Sequence, residues 1–116
     1  MPYNRGDVVL VTFPNSDMKT YKQRPALIVQ SDSLTTNYAD RLVACITSNT
    51  TKSGESVVPI IKATPEGSLM GVLQDSVIIA HNIACLPSFA IKRKLGSCPP
   101  SIQTQVDNAL RKTFDI

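Results

Sequence analysis

The sequence predicts a mainly β domain of the α+β class: a small, strongly curled antiparallel β-barrel with a C-terminal amphipathic helix. Three observations lead there. Short apolar or alternating runs bounded by turn residues follow one another as far as Gly96. Helical spacing is read only after Pro99-Pro100-Ser101. The 116 residues suffice for one core and make a single domain, 1–116. Short antiparallel strands curl because closure removes exposed edges, and a lone terminal helix then covers an open end or face.

The elements justify themselves in order. Asp7 to Phe13 is a strand entered through Gly6 and ended by Pro14-Asn15; Arg24 to Gln30 is the second and Arg41 to Thr47 the third. Ser56 to Ile61 is a fourth, placed at an edge or bulge by Pro59, which has no N–H for a ladder. Val72 to Ala80 is a fifth, Ile83 to Leu86 a short sixth, and Phe89 to Lys94 a seventh. Ile102, Val106, Ala109, Leu110 and Thr113 then recur at helical spacing, with Arg111 and Lys112 near the C-terminal end, where the helix dipole favours cations. Asn15 to Gln23 is a nine-residue polar and basic loop, and Ser48 to Glu55 a second polar loop; such loops in a small domain are often functional.

Composition removes several classes. Hydrophobic residues make up 42% and charged residues 18% with signs interspersed, which excludes a disordered charged tail. The absence of an 18-residue apolar run predicts a soluble protein without a membrane span. Met1-Pro2-Tyr3-Asn4-Arg5-Gly6-Asp7 does not read as a secretory leader, so the cytoplasm is the expected location. Cys45, Cys85 and Cys98 lack C-x-x-C spacing, and with one histidine in the chain no metal site or cofactor is expected. All three are read as small buried or half-buried thiols.

Two polar residues stand where these strands would accept apolar ones: Arg24, opening Arg24-Pro25-Ala26-Leu27-Ile28-Val29, and Thr47, closing Leu42-Val43-Ala44-Cys45-Ile46-Thr47. A guanidinium offers a fixed fork of donors and a hydroxyl a rotatable one, so at two neighbouring strand rims they can hold one phosphate. The net charge of +3 is modest, but Lys19, Lys22 and Arg24 form one basic cluster and Lys92-Arg93-Lys94 another. Together they make a phosphate-tracking surface; each alone is also what a solvated loop or strand end looks like. For Arg24 the alternative is a rim salt bridge with Asp7 or Asp75, and for Thr47 simple β-propensity.

Arg5-Gly6-Asp7-Val8, Arg24-Pro25-Ala26-Leu27-Ile28-Val29, Ile46-Thr47-Ser48-Asn49, Asp75-Ser76-Val77-Ile78 and Lys94-Leu95-Gly96, in this order over nearly the whole chain, resemble the MazF/PemK toxins of toxin–antitoxin pairs. The resemblance implies a homodimeric, curled β-barrel endoribonuclease that cuts single-stranded RNA without a metal and is neutralised by a cognate antitoxin. By position it makes Arg24 and Thr47 the catalytic residues. Arg24 suits stabilisation of the phosphorane and donation to the leaving oxygen rather than proton abstraction, because a guanidinium is effectively never deprotonated. The general base is not assigned.

Around that pair, Lys19 and Lys22 are candidates for binding the RNA backbone, and Ser48 and Asn49 for extending contacts to phosphate oxygens. Tyr21 is a candidate for stacking on an unpaired base, or packs over the sheet. Gln74, Asp75 and Ser76 match a family segment close to the active site, which makes Ser76 a further candidate. His81, after the apolar run Val77 to Ala80, is read as structural at a strand end rather than catalytic. The first loop lacks the Gly-Ser-Glu-Gln that many members carry ahead of the arginine and is closer to the Lys-x-Arg-Pro form. The mildly basic face is expected to take an acidic segment of the antitoxin. Two alternatives stay open: a CcdB-like toxin of the same architecture that binds gyrase without catalysis, and a catalytically inactive binding relative. The ending Thr113-Phe114-Asp115-Ile116 lacks the tryptophan of the gyrase-binding terminus.

Overall fold

Alternation of apolar residues on paired strands builds one antiparallel sheet. The computed structural model describes residues 3–34 and 39–116; Met1 and Pro2 of the stretch read for a leader lie outside them. Strands β1 (Asp7–Pro14) and β2 (Tyr21–Ile28) form a hairpin, paired from Val8↔Leu27 to Pro14↔Tyr21. They are followed by β3 (Asp40–Thr47), β4 (Val57–Ile60), β5 (Ser76–Pro87) and β6 (Ile91–Ser97), in sheet order β4-β5-β3-β2-β1-β6. Helix α1 (Pro65–Met70) lies between β4 and β5 in sequence, a 3₁₀ turn spans Ser88–Ala90, and α2 (Pro100–Phe114) closes the chain.

Both sheet faces are buried because successive side chains point to opposite sides. One core contains Val8, Leu27, Ala44, Ile46, Ile78 and the α2 residues Ile102, Val106 and Ala109. The other contains Val9, Val11, Phe13, Ala26, Ile28, Val43 and Cys45. The helical spacing read at the C-terminus is therefore the buried stripe of α2, with Pro100 in its first turn and Asp115 in the left-handed region at its end, φ 57°.

The expected closed barrel is replaced by an open sheet, since among the described residues β4 and β6 are outer strands and do not pair with each other. The physical reason lies at α1. Gly71, at its C-cap with φ 74°, lies so close to the Leu95 carbonyl that a Cβ would clash, and Gly96 stands equally close to the backbone of Leu69 and Met70. The helix thus packs against β6. Pro59 of the four-residue β4 pairs with Val77 at the sheet edge, as its missing N–H requires.

Several element boundaries differ from the sequence reading, the second strand ending at Ile28 rather than Gln30, the fifth starting at Ser76 rather than Val72 and the last running over Ile91–Ser97 rather than Phe89 to Lys94. The expected nine-residue first loop is shorter, because β2 already begins at Tyr21 opposite Pro14. The fifth and sixth strands are one 12-residue strand, β5. Its register on β3 jumps from Ala44↔Ile83 to Cys45↔Ile79, and the extra residues around His81 form a bulge that breaks the alternation. Helix α1 was not expected. Cys45 is buried and Cys98 half-buried, but Cys85 is exposed on β5, where its thiol donates to Asp40 Oδ2 at 3.3 Å.

Candidate functional site

The ladder between β2 and β3 ends at Ala26↔Cys45. Arg24 lies two residues before Ala26 and Thr47 two residues after Cys45, so the period of two puts both on the face of Ala26, Ile28, Val43 and Cys45. The Arg24 guanidinium is held on three sides. Nη2 donates to Asn15 Oδ1 at 3.0 Å, Nη1 to Cys45 Sγ at 3.5 Å, and Cζ lies 5.8 Å from the centroid of the Phe13 ring. Nε is the one buried side-chain nitrogen or oxygen among the described residues without a hydrogen-bond partner. An unpaired buried donor costs roughly 1–3 kcal/mol and calls for an explanation.

None of these partners is anionic. The two carboxylates considered for Arg24 are engaged elsewhere. Asp7, buried, pairs with Lys94 Nζ at 3.2 Å and accepts the Asn4 N–H, while Asp75 accepts the Lys62 N–H at 2.9 Å. The charge of Arg24 is thus oriented without being cancelled.

Beyond Ala26 and Cys45 a groove of about 490 Å³ opens, lined by β2 from Lys22 to Pro25, the end of β3 from Ile46 to Ser48, the segment from Gly71 to Gln74, Ser76, and Leu10, Arg93 and Leu95. Its lining carries three cations, Lys22, Arg24 and Arg93, and no carboxylate. Two residues of the first basic cluster, Lys22 and Arg24, and one of the second, Arg93, therefore reach a common surface.

The other candidates distribute unevenly. Thr47 Oγ1 accepts the Asn49 N–H at 3.2 Å, which turns the chain out of β3 with Ser48 exposed beside it. Ser48 lines the groove, but Asn49 lies outside that lining and its Oδ1 accepts from Thr51. Ser76 is buried on the side of Ile78, opposite to that of Arg24 and Thr47, and its hydroxyl donates to the Gln74 carbonyl at 2.8 Å. It lines the groove on the face it shares with Ile46 and Val72. Lys19 sits exposed in the hairpin turn, and Tyr21 is 66% exposed rather than packed over the sheet; neither lines the groove. His81 is exposed at the β5 bulge, with Nδ1 2.6 Å from Ser56 Oγ.

Sequence reasoning missed Asn15, Phe13 and Cys45 as the neighbours of Arg24. Asn15 after Pro14 carries a turn signal and no more; only the hairpin register brings its amide to the guanidinium. The turn is internally wired. Asn15 Nδ2 donates to Thr20 Oγ1 at 2.9 Å, Thr20 Oγ1 donates to Asp17 Oδ2 at 2.7 Å, and Met18 takes the left-handed region at φ 63°. Hydrogen bonds from the Thr20 and Lys19 backbone N–H groups and from the Thr20 hydroxyl hold the Asp17 carboxyl below its ordinary value. No group of three or more His, Cys, Asp or Glu side chains gathers among the described residues, and no helix there is long and apolar enough to cross a membrane.

The chain is thus a mainly β module of the α+β class, an antiparallel sheet with a C-terminal helix and a groove lined by cations and no carboxylate. The chain belongs to the family of PemK-like, MazF-like toxins of type II toxin–antitoxin systems, whose model matches residues 4–114. Its relatives include endoribonuclease MazF6 of Mycobacterium tuberculosis and endoribonuclease MazF2 of Mycobacterium bovis. Each is 30% identical over 104 residues, covering 89% of this chain and 88% of the relative. Among solved structures, MazF of Deinococcus radiodurans superposes with a TM-score of 0.74 at 17% identity, over 98% of this chain and 97% of that one. A mycobacterial endoribonuclease solved in complex with its cognate antitoxin gives 0.74 at 19% identity, over 98% and 96%. The homologues are endoribonucleases.

Proposed function

We propose that this toxin cleaves single-stranded RNA without a metal ion, through attack of the ribose 2′-oxygen on the adjacent phosphorus. The 2′-oxygen loses its proton and bonds to phosphorus, the P–O5′ bond breaks, and the 5′-oxygen takes up a proton, leaving a 2′,3′-cyclic phosphate and a 5′-hydroxyl. Charge accumulates on the phosphorane, so a fixed cation beside it is the main requirement. The observation that carries the reading is Arg24, a guanidinium fixed by neutral partners on the strand face it shares with Thr47. Thr47 supplies a hydroxyl to a non-bridging oxygen, and Lys22 and Arg93 track neighbouring phosphates. Lys19, Tyr21, Ser48, Asn49 and Ser76 stand as the wider set of RNA contacts.

The 30%-identical endoribonuclease relatives favour this reading over gyrase binding or an inactive relative. We place the active form as a homodimer, and its regulator as an antitoxin whose acidic segment competes with RNA for the cationic groove. Incubation with a long single-stranded RNA in excess chelator tests the chemistry. The expected products carry cyclic phosphates and 5′-hydroxyls; activity that needs added magnesium or manganese, or 5′-phosphate ends, overturns it.

A further inference from the structure

We infer that Asn15 is a positioning residue for Arg24, a neutral acceptor that fixes the guanidinium while leaving its positive charge for the phosphate. This rests on the nuclease reading above. The amide has one orientation compatible with its neighbours. Nδ2 donates to Thr20 Oγ1, whose own proton goes to Asp17 Oδ2, so Oδ1 is the atom left to accept from Arg24 Nη2. Asp17 is in turn fixed by the N–H groups of Lys19 and Thr20. The chain Asp17, Thr20, Asn15, Arg24 thus transmits the rigidity of a hairpin turn to the tip of a flexible side chain.

The chemical identity of the acceptor matters as much as its position. A carboxylate at position 15 would hold the same nitrogen with a stronger, charge-assisted bond. It would also cancel the charge that a phosphorane needs. Asn15 separates orientation from neutralisation, and Cys45 Sγ, a weak neutral acceptor on Nη1, obeys the same logic.

Two substitutions pull these functions apart, read by the Nη signals of Arg24 in nitrogen-15 NMR and by steady-state kinetics on RNA. Asn15→Ala should free the guanidinium, merging its distinct Nη signals, and lower kcat by about 10- to 100-fold with KM nearly unchanged, the scale of a misplaced catalytic group. Asn15→Asp should keep the Nη signals distinct and yet lower kcat at least as much. Thr20→Val, which removes the anchor of the amide, should fall between wild type and Asn15→Ala in both readouts. Wild-type kcat in Asn15→Asp, or an Asn15→Ala protein whose Arg24 signals and kcat are unaltered, overturns the inference while leaving the nuclease reading intact. A wild-type protein that does not cut RNA, or an Arg24→Ala variant that cuts normally, overturns the nuclease reading and this inference with it.

Discussion

Arg5 Nη2 donates to Asp107 Oδ1 at 2.7 Å, joining a residue of the segment that leads into the first strand to the middle of the last helix across 102 positions of sequence. The same arginine gives Nε to the Val29 carbonyl at 3.2 Å, and its backbone N–H goes to Asp32 Oδ1 at 2.8 Å. The Arg-Gly-Asp motif is in this respect an architectural clamp that holds α2 against the start of the sheet.

The clamp makes stability depend on pH. Burial pushes the Asp107 carboxyl up, but hydrogen bonds from Arg5 and Gln103 and the charges of Arg5 and Arg111 outweigh it and hold the carboxyl below its ordinary value. A depressed folded value means that the contribution is complete above the unfolded carboxylate range near about pH 4 and is lost as pH falls through the folded value. Asp107→Asn should therefore cost about 0.5–1 kcal/mol near neutral pH, as expected for a partly exposed pair. The difference from wild type in urea unfolding should shrink on acidification; a constant difference rejects the account.

Arg24→Ala should reduce RNA cleavage by about 10²- to 10³-fold, the usual effect of removing one donor to a developing oxyanion. Thr47→Ala should cost less. Both should keep the wild-type circular dichroism spectrum, and Arg24→Ala should lose little stability because it also removes the unpaired buried Nε.

Lys22→Ala and Arg93→Ala should weaken RNA binding with little change in kcat. Each lost phosphate contact should flatten the slope of log affinity against log salt by about 0.7, the single-strand value. A slope equal to wild type removes that residue from the RNA path.

Gly96→Ala should destabilise the protein by roughly 1–3 kcal/mol, since its Cβ meets the backbone of Leu69 and Met70 rather than a yielding side chain. Relief requires α1 to move away from β6, which displaces the Gly71 to Gln74 wall of the groove. Cleavage should fall together with thermal stability, and restored activity without restored stability contradicts the link.

Association with an acidic antitoxin segment should be fast at low salt and slow as screening rises, because carboxylates replace phosphates at partly exposed cations. Stopped-flow association over a salt series tests this, and light scattering at micromolar concentration tests the homodimer. Salt-independent association or a strict monomer goes against the proposed partners.

The strands carrying Arg24 and Thr47 were legible because period-two burial on both faces of β1, β2 and β3 leaves a strong apolar signature around two polar outliers. Their register was not legible, since pairing is fixed by the hairpin turn and the bulge, and so Asn15 and Cys45 went unnoticed beside the guanidinium. Helix α1 did leave a signal: Thr64 caps the Gly67 N–H, Pro65 opens the helix and Gly71 ends it. Six residues are too few for helical periodicity to stand out. Sheet closure was misjudged because short strands favour it in general, while the docking of α1 against β6 depends on contacts between residues distant in sequence.

An open sheet has two borders, and each is defended by its own chemistry. Pro59 leaves the β4 border without one of the N–H groups that an incoming strand would need, and Lys92 and Arg93 line β6 with exposed positive charge that opposes the edge-on addition of a second β6, Lys94 being paired with Asp7. Polymerisation by strand addition, the usual hazard of an unclosed sheet, is therefore opposed at both borders. The same lysine and arginine that make β6 attractive to an anionic chain make its edge unattractive to another β6.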